Sequence, residues 1–271
     1  LFTGYRPSHS PLTGQIEYVT IATLGDGQNF GNLSLLRASL AQCSNGTRGM
    51  FGGGDASPYS TIDYVTVATL GDAIDFGDLT VGRNLLASLS DGIKGVWAGG
   101  DSSYPGQNVI DYVTIATPGN AIDFGDLTAT KSQFGALSNG TRGVFAQTSN
   151  SNTIDYITVA TTGNAISFGN LTVARGYNTG TVSDGTKGLW GGGIGPLNVI
   201  DYVTIATPGN ALDFGDLTVS RYAPAGFASD TRGVWAGGHS GGGLDTIDYA
   251  TIAITSNAIS VGNLIQRIES A

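Results

Sequence analysis

The apolar residues along the chain come in short runs between turn residues and never at the spacing of a helix. Runs such as Val109-Ile110-Asp111-Tyr112-Val113-Thr114-Ile115 are β-branched and aromatic, and no window sets apolar residues at helical spacing. Clusters of glycine, asparagine, aspartate and proline interrupt them about every 8–12 residues, the punctuation of an all-β chain. Taking 83–130 as one unit, the pattern predicts four antiparallel strands over 84–90, 95–98, 109–117 and 121–128. Asp91-Gly92, matched by Asn45-Gly46, Asn139-Gly140 and Asp184-Gly185, is expected to form a two-residue hairpin with positive φ at both centres. Pro118-Gly119-Asn120 is expected to make a type II turn. The glycine of Phe124-Gly125-Asp126 predicts a bulge or a close backbone approach. The third strand carries large apolar residues on both sides, so its sheet needs cover on both faces.

This unit recurs. Its anchor isoleucine stands at Ile16, Ile62, Ile110, Ile154, Ile200 and Ile247, in steps of 46, 48, 44, 46 and 47 residues. A fixed period of this size means a repeat architecture, and radially packed blades cover each sheet on both faces. The expected fold is a six-bladed β-propeller with four antiparallel strands per blade, in a single domain over 1–271. Leu1-Phe2-Thr3-Gly4 stands where Val96-Trp97-Ala98-Gly99 stands later, so the chain opens on a second strand. Residues 265–271 are then left over and are expected to supply the matching first strand. The expected blades are 265–271 with 1–36, then 37–82, 83–130, 131–174, 175–220 and 221–264, and deletion of 265–271 is expected to open the ring.

Composition narrows the function. A net charge of −9 over 271 residues argues against nonspecific nucleic-acid binding, which needs a basic surface. There is no run long enough to span a bilayer and no charged-then-apolar leader, so no membrane insertion is expected. The one cysteine, Cys43, is expected to be a buried thiol. His9 and His239 are too few for a repeated metal site, and no acid, base or nucleophile constellation is visible. No enzyme activity, catalytic residue, metal or cofactor is therefore expected. Asp75-Phe76-Gly77 spells a kinase triplet with none of its companion motifs. Asp72, Asp75 and Asp78 are read as turn caps and not calcium ligands, because the equivalent positions elsewhere include Asn164, Ser167 and Asn170. The sequons at Asn45 and Asn139 fall in the tight hairpins and are read as turn chemistry.

All of the basic residues but Arg6 occupy two fixed repeat positions. Arg48, Lys94, Arg142, Lys187 and Arg232 follow the first hairpin; Arg37, Arg83, Lys131, Arg175 and Arg221 are read as starting the first strands, with Arg267 as the sixth. Asp63, Asp111, Asp155, Asp201 and Asp248 recur in the third strand, with Glu17 in the first repeat. One reading is a repeated ion pair setting blade against blade; the other is an anion-attracting ring at a channel mouth.

The second strand ending in a glycine doublet (Gly53-Gly54, Gly99-Gly100, Gly192-Gly193, Gly237-Gly238), followed by an aromatic third strand, resembles the kelch repeat along the whole chain. Phenylalanine (Phe76, Phe124, Phe168, Phe214) stands where that family has a fourth-strand tryptophan, and Trp97, Trp190 and Trp235 precede the doublet instead. More narrowly, residues 202–221 and 139–145 resemble repeat arrays in structural proteins of marine, particularly cyanobacterial, bacteriophages. That resemblance implies a virion component of tail or fibre type, located in the virion or outside the cell, whose partners are other assembly proteins or glycans. A secreted carbohydrate-binding propeller is the alternative.

In an antiparallel meander the turns joining strands one to two and three to four share one face, and the other two connections share the opposite one. The first set is nearly identical between repeats. The second set, at 55–60, 101–108, 147–152, 194–198 and 239–245, varies in length and composition, and loops on a rigid scaffold commonly carry binding. The expected binding residues are Tyr59, Tyr104, Tyr177 and Tyr222, together with Arg37, Arg83, Lys131, Arg175, Arg221 and Arg267.

Overall fold

The computed structural model describes residues 2–3, 14–18, 28–102, 106–148, 151–176, 180–195 and 197–268, with the backbone alone at 2–3, 147–148 and 265–268. The protein is all-β, its sheets are the blades of a β-propeller, and no helix occurs among the described residues. Two compact units divide the chain, 1–126 and 127–271. The first sheet holds β1 (Phe2–Thr3), β2 (Gln15–Tyr18) and β3 (Gln28–Asn32). The second holds β4 (Ala41–Ser44), β5 (Arg48–Gly52), β6 (Thr61–Thr66) and β7 (Ile74–Asp78). The third holds β8 (Ala87–Ser90), β9 (Lys94–Ala98), β10 (Gln107–Thr114) and β11 (Ile122–Lys131). The fourth holds β12 (Gly135–Ser138), β13 (Arg142–Thr148), β14 (Ser151–Thr158) and β15 (Ile166–Arg175). The fifth holds β16 (Gly180–Ser183), β17 (Lys187–Gly191), β18 (Leu197–Thr204) and β19 (Leu212–Arg221). The sixth holds β20 (Ala225–Ala228), β21 (Arg232–Ala236), β22 (Leu244–Thr251) and β23 (Ile259–Ile268). Within every sheet the strands neighbour one another in chain order.

Several boundaries differ from expectation. Lys131, Arg175 and Arg221 end the fourth strands β11, β15 and β19; they do not start first strands, which begin at Gly135, Gly180 and Ala225. The reason is ladder pairing, which carries the long outer strand on: Arg175 pairs with Ser151 and Arg221 with Leu197. By the same register Ile268, and not Arg267, takes the cation's place opposite Leu244. Residues 265–268 therefore continue β23, and the expected pairing of 265–271 with the N-terminal strand involves residues 1 and 269–271, which lie outside the described residues.

The turns also differ. Gly92 has a φ of 87° while Asp91 does not have a positive one, because the Asp91 side chain accepts hydrogen bonds from the amides of Ile93 (2.8 Å) and Lys94 (2.6 Å). Positive φ thus sits at the first central residue, where a type II′ turn places glycine. Asn45 and Asn139 accept the same pair of bonds in their hairpins. The third strand ends at Thr114, and the turn that follows is closed by the Thr117 amide donating to the Thr114 carbonyl at 3.0 Å. Gly119, with φ 157°, is not the left-handed residue of a type II turn.

Each sheet interlocks with the next inside its unit. The indole of Trp97 donates to the Ala41 carbonyl at 3.1 Å, and that of Trp235 to Gly180 at 2.9 Å. On the outer strands a bulge opposite Ile62 sets Gly77 against the following sheet, where a Cβ would come within 2.5 Å of the Gly119 carbonyl oxygen. The bulge and the close approach expected of this glycine are the same feature. The Gly119 and Ala121 amides donate to Phe76 and Asp78 across that joint, each at 2.8 Å. Gly77→Ala is expected to lower stability by about 2 kcal/mol or more, and Gly46→Ala, whose Cβ meets nothing, by about 1 kcal/mol. Urea denaturation of both variants checks the order, and equal costs would contradict the interlock.

Candidate functional site

Each of the five described first strands is preceded by one buried cation. Arg37, Arg83, Lys131, Arg175 and Arg221 are 0–1% exposed, and so are their partners Asp63, Asp111, Asp155, Asp201 and Asp248. The ion pairs measure 2.8, 2.7, 3.5, 2.6 and 2.6 Å. A charge removed from water needs more than one partner, and the chain supplies them. Arg37 Nε donates to the Gly53 carbonyl at 2.8 Å and Nη2 to Phe51 at 3.1 Å. The aspartate is filled from the preceding repeat: the hydroxyl and amide of Thr172 donate to Asp201 at 2.5 and 3.1 Å, and those of Thr218 to Asp248 at 2.5 and 3.1 Å. Ser34, Thr80 and Thr128 do the same for Asp63, Asp111 and Asp155.

The glycine doublets belong to this clasp. A Cβ on Gly54 would lie 2.9 Å from Arg37 Cδ, and one on Gly193 would lie 2.7 Å from Arg175 Cβ. The Gly54 amide donates to the Arg83 carbonyl at 3.0 Å and the Gly193 amide to Arg221 at 2.9 Å, so these two doublets seat their own cation and hold the next repeat's. In the fourth sheet Gln147-Thr148 replaces the doublet, and there the cation is the slimmer Lys131. Its ammonium reaches the Thr153 hydroxyl at 2.9 Å and the Thr153 carbonyl at 3.3 Å.

These positions correct the anion-ring reading. Arg37, Arg83, Lys131, Arg175 and Arg221 are held inside the sheets by carboxylates and carbonyls and have no surface to offer a ligand. Burial pushes the Arg83, Lys131, Arg175 and Arg221 cations below their usual pKa, with the paired aspartates pulling the other way. Arg267 lies where only the backbone is described. The other cation series braces the opposite face: Arg48, Arg142 and Arg232 sit 4.6, 4.5 and 4.8 Å from the ring centroids of Tyr64, Tyr156 and Tyr249. Arg48 also donates to the Ile115 carbonyl of the following sheet at 2.6 Å, as Arg142 does to Ile205 at 2.9 Å.

Of the four candidate tyrosines, Tyr104 and Tyr177 lie outside the described residues. Tyr59 is 45% exposed with a φ of 65°, and its carbonyl accepts the Arg83 amide at 2.9 Å. Tyr222 is half-buried and stacks on His239, ring centroids 5.0 Å apart. A feature missed in the sequence accompanies them. Ser39, Leu85, Gln133 and Ala223 are left-handed, with φ of 57, 53, 54 and 52°, and each stands two residues after a buried cation. No residue type announces this, since glycine or asparagine is the usual signal; only the fixed spacing would have. Such backbone costs on the order of 1–3 kcal/mol and gathers at functional loops.

Other candidates resolve locally. Burial pushes the Cys43 thiol up to about 12. Asp72 caps the Asn32 amide at 2.8 Å and Asp78 accepts from the Ser60 hydroxyl at 2.9 Å. Among the described residues no group of three His, Cys, Asp or Glu side chains is placed to hold a metal, and no helix is long and apolar enough to cross a membrane. No protein-family model and no curated protein matches the chain.

A pH dependence follows from Lys131. Its folded pKa lies below its unfolded one, so between the two the unfolded chain binds more protons and stability rises with pH. The unfolding free energy of the parent relative to Lys131→Met is expected to increase as pH climbs toward the ordinary lysine value of 10.5. Denaturant melts at a series of alkaline pH values measure it, and a decrease would contradict the sign.

Proposed function

We propose that this chain is a non-enzymatic recognition module whose binding face is built by the two-to-three and four-to-one connections. One observation carries the reading. The one-to-two turns at 45–47, 91–93, 139–141, 184–186 and 229–231 never change length, and neither do the three-to-four connections at 67–73, 115–121, 159–165, 205–211 and 252–258. The two-to-three connections at 53–60, 99–106, 149–150, 192–196 and 237–243 range from two to eight residues. In the first unit Tyr59 and left-handed Leu85 stand on the variable side; in the second, Tyr222, His239 and left-handed Ala223 do. Variation confined to one side of a fixed frame, with strained backbone beside it, fits a surface adapted to a partner.

The setting of this reading is a virion component of tail or fibre type, which rests on the resemblance of the repeat to phage arrays; the partner is then a protein of the assembly or of a host surface. The test is binding of the 1–271 chain to purified virion proteins and to a glycan array. Tyr59→Ala and Tyr222→Ala are each expected to weaken binding by on the order of 1–2 kcal/mol, while Asn139→Asp, on the constant side, leaves it unchanged. Glycan binding without protein binding would favour a lectin, and loss confined to the hairpin-turn variant would place the partner on the other face.

A further inference from the structure

The variable side carries a feature narrower than its loops. In the four sheets that keep the glycine doublet, the residue after the doublet and the residue after the buried cation are joined by main-chain bonds. The Asp55 amide donates to the Ala38 carbonyl at 3.0 Å and the Ile194 amide to the Gly176 carbonyl at 2.9 Å. Asn84 and Asp101 exchange two such bonds, at 3.0 and 2.7 Å, and so do Tyr222 and His239, at 3.1 and 2.9 Å. Each pair is pinned from behind. The first glycine of the doublet donates to the third strand, Gly53 to Thr61, Gly99 to Val109, Gly192 to Val199 and Gly237 to Thr246, at 2.9–3.1 Å, and the cation before the other member is held in its clasp.

The frame repeats and the side chains do not. The residue before one member is arginine each time (Arg37, Arg83, Arg175, Arg221), and the residue before the other is glycine each time (Gly54, Gly100, Gly193, Gly238). The pairs themselves are Ala38 with Asp55, Asn84 with Asp101, Gly176 with Ile194 and Tyr222 with His239. A purely structural position would repeat its residue as these neighbours do, and a loop drifting without constraint would not keep its backbone bonds. Asp55, Asn84, Asp101, Tyr222 and His239 are half-buried and Ile194 is 38% exposed, so these side chains reach the surface from a fixed backbone. A group held in this way loses little freedom when it binds.

We infer that these bridge pairs, and not the loops beyond them, select the partner on the variable side; the inference rests on the recognition reading and names its deciding residues. In the first unit the pairs offer the Asp55 and Asp101 carboxylates and the Asn84 amide, and the Ala38 amide fixes Asp55 by donating to its Oδ1 at 2.7 Å. The arginines beside the pairs are spent in the clasp, and Arg48 braces the opposite side through Tyr64 and the Ile115 carbonyl. The first unit therefore selects a peptide segment bearing lysine or arginine, to which fixed carboxylates are complementary. In the second unit the pairs offer Ile194 and the Tyr222 ring stacked on His239, centroids 5.0 Å apart, and these select aliphatic or aromatic side chains.

The test pans a displayed library of random peptides against the 1–271 chain, against an Asp55→Asn/Asp101→Asn variant and against an Asn84→Tyr/Asp101→His variant. The first variant is isosteric and keeps an acceptor for the Ala38 amide; the second copies the sixth sheet's pair onto the same frame in the third. Both are expected to melt with the parent by circular dichroism. The parent is expected to enrich peptides rich in lysine or arginine, and fluorescence anisotropy is expected to show them binding the Asp55→Asn/Asp101→Asn variant at least about tenfold more weakly. Ser57→Ala and Ser102→Ala, in the loops beyond the pairs, are expected to leave that affinity unchanged. The Asn84→Tyr/Asp101→His variant is expected to enrich aromatic or aliphatic peptides more strongly than the parent does. Affinity that falls with the loop variants and not with the pair variants would overturn the inference and leave the recognition reading standing. Failure of the parent to enrich any peptide would overturn both.

Discussion

The structure depends on keeping a charge buried in each of its five four-stranded sheets. An unpaired cation inside a sheet would cost several kcal/mol, so each of Arg37, Arg83, Lys131, Arg175 and Arg221 obliges its surroundings to satisfy it. The aspartate must come from the third strand, opposite the bulky second-strand aromatic, as Asp111 stands opposite Trp97. A hydroxyl from the preceding repeat must fill the carboxylate's remaining lone pairs. The second strand must end in glycine where the side chain passes. The fourth sheet shows that these demands are coupled: with Gln147-Thr148 in place of the doublet, the guanidinium gives way to an ammonium and the ion pair lengthens to 3.5 Å.

A clasp that joins the end of one repeat to the third strand of the next sets their spacing, and the other joint contacts follow from that spacing. The Tyr–Phe edge contacts, from 5.7 to 6.0 Å between Tyr18 and Phe30, Tyr64 and Phe76, Tyr112 and Phe124, Tyr156 and Phe168, and Tyr202 and Phe214, recur because their backbones are held in one register. The basic residues over the tyrosines tie one sheet to the next sheet's turn carbonyl. That turn therefore cannot change length without losing the bond, whereas the repeating bonds of the two-to-three connections, Gly54 to Arg83 and Gly193 to Arg221, lie at the glycine doublet with which those connections begin. The division into a constant side and a variable side is thus a consequence of where the repeating bonds run.

Much of this was legible in the sequence because repetition exposes it. The period, the strand runs, the Asp–Arg recurrence and the glycine of Phe76-Gly77 each pointed to what the fold contains. The reading of Arg37 and its counterparts as surface charge failed because a sequence does not tell a paired cation from a solvated one. The hydroxyl residue three before each cation was a periodic signal that was overlooked, although Ser34, Thr80, Thr128, Thr172 and Thr218 keep fixed spacing to Arg37, Arg83, Lys131, Arg175 and Arg221. The left-handed residues had no signature in their own side chains, since leucine, glutamine and alanine all accept the conformation under constraint from the neighbouring clasp. Turn type at Asp91-Gly92 escaped because the aspartate side chain, and not the backbone, organises the hairpin.

The most direct measurement is a double-mutant cycle on Arg221 and Asp248, with Arg221→Met, Asp248→Leu and the pair compared by urea denaturation. If the buried pair governs the joint, each single variant loses about 3–5 kcal/mol, and the double variant loses much less than their sum, a coupling of at least about 2 kcal/mol. Costs that add to within about 0.5 kcal/mol would mean that the two charges act independently and that the clasp is not what holds the repeats together.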